Sequence, residues 1–331
     1  MTTDTTDVAR IALGFVPDIT DAEPGRPATL ATSADLYLRW ERQQWQVGQV
    51  RPARDLPVWS ALRPFFKAEL LAALAELEVG EVTVTHTLGS LVERPPTDDD
   101  QIYLCTQLAD EARHVRFFQT YLDDVCGADA GRSRVELDVA PDYEKVFAPM
   151  LTAATGRVRE ADSDVADWYR ALVQYHLVTE GMLAATALRT TRYLARRLQL
   201  TALDEGLTNV TRDESRHVAF GLRAAQDGVA AGYGEVIRDA HLHALDAAAQ
   251  VLVRPSRRST LPRIRMAAQS RRRQWQEQLD IAEDRLLKQL RMIGLADARP
   301  AAQAAWRAAV DSALDLYEQR WGGPHPLRHA S

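Results

Sequence analysis

The stretch "QLADEARHVRFF", residues 107–118, carries a glutamate and a histidine three positions apart, Glu111 and His114. A hundred residues later "VTRDESRHVAFG", residues 210–221, repeats the arrangement with Glu214 and His217. In an α-helix, positions i and i+3 lie about 60° apart around the axis, so each stretch presents a carboxylate and an imidazole on one face. Two such helices packed together make half of a dinuclear carboxylate metal site. In a ferritin-like four-helix bundle the other half is one glutamate from each of two further helices.

The chain supplies both. "AELEVGEVTVTH" offers Glu78 or Glu81, and "YHLVTEGMLAATA" offers Glu180 among almost wholly apolar neighbours. Four buried carboxylates alone would repel one another and raise each other's pKa, whereas two divalent cations offset four negative charges. Carboxylates and imidazoles without thiolates suit iron and manganese rather than the Cys-rich tetrahedral cage of a structural zinc. A single Glu-x-x-His on a helix is common surface chemistry. Two copies with acids on both partner helices point to a metal pair.

The elements that must position these residues are helices. Apolar residues recur at three and four positions over long stretches and strand signals are weak, which predicts an all-α fold. The pattern predicts a helix over Trp59–Glu93, stopped by Pro95-Pro96, and a second from a Thr97 cap to Cys126 with Gly127 as its stop. A short helix follows near Asp142–Ala154, and long ones over about Asp164–Leu198, Leu203–Ala231 and Glu235–Val253. This gives an irregular segment over residues 1–40, a dimetal bundle over 41–255, and a C-terminal extension over 256–331 with two more amphipathic helices.

Bulk properties narrow the function classes. With 331 residues, 46% apolar and 26% charged, the chain is long enough for a sizeable core. The net charge of −6 leaves no general nucleic-acid footprint, and the basic stretch 254–273 reads as a solvated face paired to neighbouring acids. Two cysteines, Cys105 and Cys126, form no CxxC pattern and fit a reducing cytoplasm. No apolar run approaches the ~18 residues of a membrane span, and "MTTDTTDVAR" lacks the pattern of a secretory signal.

"YLCTQLADEARHVRFF", "YHLVTEGMLAATA" and "RDESRHVAFG" together resemble the ribonucleotide-reductase small-subunit superfamily, over about residues 40–250, and within it the ligand-binding oxidases. "GEVTVT" is similar to the group's Gly-Glu-x-x-Val-Thr stretch, which selects Glu81 over Glu78 and places Val84 one turn on. The reductase subunits carry a radical tyrosine seven residues after the first motif's glutamate. Here that position is Phe118, which has no hydroxyl to oxidise and favours the oxidase group.

The resemblance implies a Mn/Fe or Fe/Fe pair, with Glu81, Glu111 and His114 on one metal, Glu180, Glu214 and His217 on the other, and Glu111 bridging. It implies Asp213 as the carboxylate that orients His114, with Asp110 in the corresponding place of the other repeat, and Trp45 and Trp59 as the group's upstream tryptophans. It implies an ether between the Tyr175 oxygen and the Val84 β-carbon, dioxygen and an external electron donor as partners, a small hydrophobic or fatty-acid-like ligand, and a homodimer. Tyr175 sits five residues before Glu180, roughly 140° away on an ideal helix, so aiming both at one centre requires a local π-bulge near Gly181. A diiron N-oxygenase and a non-enzymatic ferritin-like or reductase-type subunit are the competing expectations. His86, His176, His241 and His243 read as structural or exposed.

Overall fold

The structure is a computed structural model that describes residues 30–127, 142–254 and 265–328, and among them there is no strand. The helices are α1 (Ser33–Arg42), α2 (Pro64–Glu93), α3 (Asp98–Tyr121) and the short α4 (Ala148–Arg157). Helix α5 runs as Val165–Leu172, a π-helical stretch Val173–Ala184, and Ala185–Arg197. Then come α6 (Thr201–Gly228), α7 (Gly234–Val253), α8 (Arg265–Met292) and α9 (Arg299–Trp321). Helices α2, α3, α5 and α6 pack as a ferritin-like bundle; α7 and α8 flank α5, and α9 covers α7 and α8.

Local chemistry explains most boundaries. Thr97 accepts from the Asp100 amide, and three aspartates occupy the first turn of α3, where the positive end of the helix dipole favours them. A π-helical turn, Leu122–Cys126, ends α3 at Gly127, whose φ of 54° suits glycine. Asp164 and Asp167 form a capping box at the start of α5.

Three expectations change. The helix expected over Trp59–Glu93 is two, Leu56–Ala61 and α2, because Arg63 precedes Pro64 and is held extended at ψ 145°. Residues 33–40, expected to be irregular, belong to α1, which starts on a Thr32/Asp35 capping box; residues 1–29 lie outside the described residues. The expected π-bulge is a 12-residue π-helix. Residues 255–264 of the basic stretch lie outside the described residues, and Arg254 pairs with Glu76 at 2.8 Å.

The apolar core falls into two clusters. One contains Val84, Leu104, Val178 and Val218, the other Leu77, Phe117, Leu188 and Val210. On all four bundle helices, residues of the two clusters flank one polar layer: Glu81, Glu111 with His114, Glu180, and Glu214 with His217. Helices α5 and α6 approach closely there, since a Cβ on Gly221 would lie 2.3 Å from the His176 Cβ.

Buried Asp55 ties the bundle's end together. Its carboxylate accepts from the Ala202 amide at 3.0 Å, the Leu203 amide at 2.9 Å and the Tyr121 hydroxyl at 2.9 Å. Asp55→Ala is therefore expected to cost about 2–4 kcal/mol in urea unfolding, because it strands buried donors. Tyr121→Phe should cost about 1 kcal/mol. Equal costs for the two would contradict this reading of Asp55.

Candidate metal centre

The six sequence-predicted side chains meet at one buried place. Glu81, Glu111, His114 and Glu214 offer donor atoms within 4.8 Å of one another, and so do Glu111, Glu180 and His217. Glu111 belongs to both groups. Glu214 falls with the first group and also borders the second: its Oε1 lies 3.2 Å from His114 Nδ1 and 3.7 Å from His217 Nδ1. Glu78 is half-buried and outside both groups.

The orientation of the imidazoles is decisive. His114 Nε2 faces Asp213 Oδ2 at 3.2 Å, and His217 Nε2 faces Asp110 Oδ2 at 3.3 Å. A carboxylate accepts, so each Nε2 carries the proton, and a neutral ring then has its lone pair on Nδ1. Both Nδ1 atoms point into the cluster: that of His114 lies 3.4 Å from Glu81 Oε2, that of His217 3.2 Å from Glu111 Oε1. Buried atoms without a hydrogen bond include both Nδ1 atoms and the Oε2 of Glu81, Glu111, Glu180 and Glu214. Each of the six residues thus keeps a buried donor atom without a hydrogen bond while the side chains meet at one place, which is what a metal pair needs and what folding otherwise disfavours.

Around this inner layer lies a self-neutralising outer one. Asp213 accepts from Trp45 Nε1 at 2.6 Å, Arg216 at 2.6 Å and Arg113 at 3.3 Å. Asp110 accepts from Trp40 Nε1 at 3.0 Å, from Arg216 at 2.9 Å and from Arg113. The two aspartates balance the two arginines, and the repeat is pseudo-symmetric down to its tryptophans. Trp59 stays in the core.

Gln107, His176, Arg113, Arg216 and Trp40 were missed from sequence. The Gln107 amide donates to Glu180 Oε1 at 2.9 Å and Glu111 Oε1 at 3.3 Å, while its carbonyl faces His176 Nε2 at 2.9 Å. Its sequence signal was its place one turn before Glu111 on the same face. His176 and His241 are buried, and His86 and His243 are exposed.

Tyr175 reaches the cluster from the π-helix. Its hydroxyl donates to the Val84 carbonyl at 3.2 Å and lies 3.4 Å from Glu111 Oε1. Burial and the surrounding carboxylates hold its pKa well above the usual tyrosine value. Phe118 is fully buried beside Phe117. A cavity of about 70 Å³ adjoins Glu81, Glu180, Glu214 and Val84 and extends to the Glu76–Arg254 pair.

No protein-family model matches the chain. Among solved structures it is similar to an R2-like ligand-binding oxidase with a tyrosine-to-phenylalanine change and an aerobically reconstituted Mn/Fe cofactor. The TM-score is 0.60 at 20% identity, over 85% of this chain and 93% of that one. A valine-to-leucine variant gives 0.60 at 20%, over 86% and 93%, and a glycine-to-leucine variant with a non-activated Mn/Mn cofactor 0.55 at 19%, over 86% and 93%. The chain has the fold of these oxidases. No helix among the described residues is long and apolar enough to cross a membrane.

In the absence of cations, protons compensate the cluster. Burial, with the Glu214 and Glu111 charges adding and His114 opposing, pushes Glu81 up to about 8. Burial and Glu214 raise Glu180 well above the usual range. Burial alone would lower His114 and His217, but Glu81 and Asp213 raise the first, and Glu111 and Glu214 the second, well above the usual histidine value. Groups raised on folding make the folded state bind more protons, so stability falls as pH rises through the window, here from 4.5 to about 8 for Glu81. Glu111 is lowered despite burial, chiefly by His217; its contribution is complete above its ordinary value and leaves that slope unchanged. Metal-free protein should therefore melt at a lower temperature at pH 8 than at pH 6. A calorimetric Tm that rises over that interval would contradict this electrostatic account.

Proposed function

We propose that the chain is a dioxygen-activating dimetal oxidase holding a Mn/Fe or Fe/Fe pair. The observation that carries this is the convergence of six buried carboxylate and imidazole side chains between two apolar clusters, each keeping one donor atom without a hydrogen bond. Glu81, Glu111 and His114 would hold one ion, Glu180 and His217 the other, with Glu111 shared and Glu214 standing between the imidazoles. Such a pair, reduced by an external donor, supplies the electrons that reduce dioxygen and the oxidising power to break a C–H bond.

The chain's own residues do the rest. Asp213 and Asp110 fix the histidine tautomer and hold each Nδ1 lone pair inward. Gln107 restrains Glu180 and Glu111 through its amide. The apolar clusters on either side exclude water. Tyr175 keeps its proton and stands on the Val84 carbonyl. A Tyr175–Val84 ether would form by loss of the phenol hydrogen and the Val84 Cβ hydrogen, the two electrons and two protons passing to dioxygen.

The substrate reading follows the cavity. It is lined mostly by apolar groups such as Leu183, Val251 and Leu252, which suits a small hydrophobic molecule. At about 70 Å³ it falls well short of the roughly 300–1,000 Å³ of a pocket for a drug-sized ligand, so a fatty-acid-like chain would have to part Arg254 from Glu76.

Aerobic loading with manganese and iron, followed by peptide mass spectrometry, tests the oxidase. The Tyr175 and Val84 peptides should appear joined and two hydrogens lighter, and Tyr175→Phe should leave them separate. Metal-dependent oxygen uptake with separate wild-type peptides would favour the N-oxygenase reading, and no uptake at all would remove both. Asp213→Asn is expected to weaken metal affinity about 10–100-fold with the fold intact. Unchanged affinity would show that Asp213 does not orient His114.

A further inference from the structure

A π-helix gives each amide to the carbonyl five residues back, and where it returns to α geometry one carbonyl is bypassed. At the end of Val173–Ala184 the Ala185 amide goes to Glu180 O and Met182 O, passing over Gly181 O between them. Arg285 of α8 donates to that carbonyl through Nη1 at 3.1 Å. One turn on, Gln289 donates to Leu177 O through Nε2 at 2.9 Å. The pairs 285 with 181 and 289 with 177 are spaced four residues on both elements and run antiparallel, so α8 meets the π-helix in register.

The contact is built for close approach. Arg285 and Gln289 are 7% and 1% exposed, though long polar side chains are costly to bury and immobilise. A Cβ on Gly181 would lie 2.4 Å from Gln289 Nε2 and 3.1 Å from His176 O, so only glycine admits the amide. Gln278, two turns before Arg285 on the same face of α8, is buried as well, donates to Thr190 Oγ1 at 3.2 Å and lines the cavity beside Glu180. A polar stripe on α8 thus follows α5 past the site.

We propose that α8 is a positioning element of the metal centre, with Arg285 and Gln289 holding α5 in its π-helical register. In i→i+5 geometry residues five apart share a face, which lets Tyr175 and Glu180 both reach Glu111 and its neighbours; α geometry would turn them apart. Released from the two clamps, the segment relaxes toward α geometry and Tyr175 leaves the Val84 carbonyl. That the segment so positioned belongs to a metal centre rests on the oxidase reading, whereas the clamp itself does not.

Amide hydrogen exchange on the metal-free full chain tests the clamp separately. Arg285→Met should speed exchange over residues 176–185 about tenfold while α3 and α6 keep their wild-type rates. Arg285→Lys, which keeps one donor for Gly181 O, should restore most of the protection. Should Arg285→Met fail to fold, Gln289→Met, close in volume, is read the same way. Unchanged exchange in 176–185, or equal acceleration of α3, α5 and α6 as in plain core loss, would overturn the proposal. If the clamp is upheld but wild-type protein binds no manganese or iron, the oxidase reading fails and the positioning of α5 stands.

Discussion

Everything in this molecule is arranged around a charge that burial alone cannot tolerate. Four glutamates and two histidines lie at 6% exposure or less in one layer of the bundle, with apolar clusters on either side. An uncompensated buried carboxylate costs several kcal/mol even after relaxation, and four near one another cost more than their sum. The outer aspartates have arginines to answer them; the inner glutamates do not. Two divalent cations would offset their four negative charges in a layer where each of the six residues keeps a donor atom that no protein hydrogen bond uses.

That division of labour explains the doubled motif. In each Asp-Glu-x-Arg-His copy the glutamate and histidine point inward, while the aspartate serves the histidine of the other copy: Asp213 faces His114 and Asp110 faces His217. The arginine of each copy, Arg113 or Arg216, reaches both aspartates. A single copy could not close this network. Two antiparallel copies give every outer charge a partner and leave both inner Nδ1 atoms without a hydrogen bond.

Much of this was legible because helical spacing is a strong constraint. Glu and His at i and i+3, an acid in an apolar run, and Thr97 and Gly127 at the ends of α3 each have a local cause, so the bundle and five inward residues could be read from the chain, while Glu81 was separated from Glu78 only by the family resemblance. Where the cause is tertiary, the reading stopped. Gln107 looks like any polar helix residue until Glu180 and His176 are brought against it, and Trp40 gains its role from Asp110, 70 residues away. The break at Arg63 was local and readable from Pro64. The length of the π-helix was not, since its carbonyls are satisfied by α8, about a hundred residues further on.

The central claim is that one buried layer grips two transition-metal ions. Anomalous X-ray diffraction at the manganese and iron absorption edges, on crystals of protein loaded with both metals, tests it most directly. The account predicts two peaks in the polar layer, sharing Glu111, with His114 Nδ1 on one and His217 Nδ1 on the other. A single ion, or metal bound only at the surface while these six side chains keep protons in its place, would contradict it.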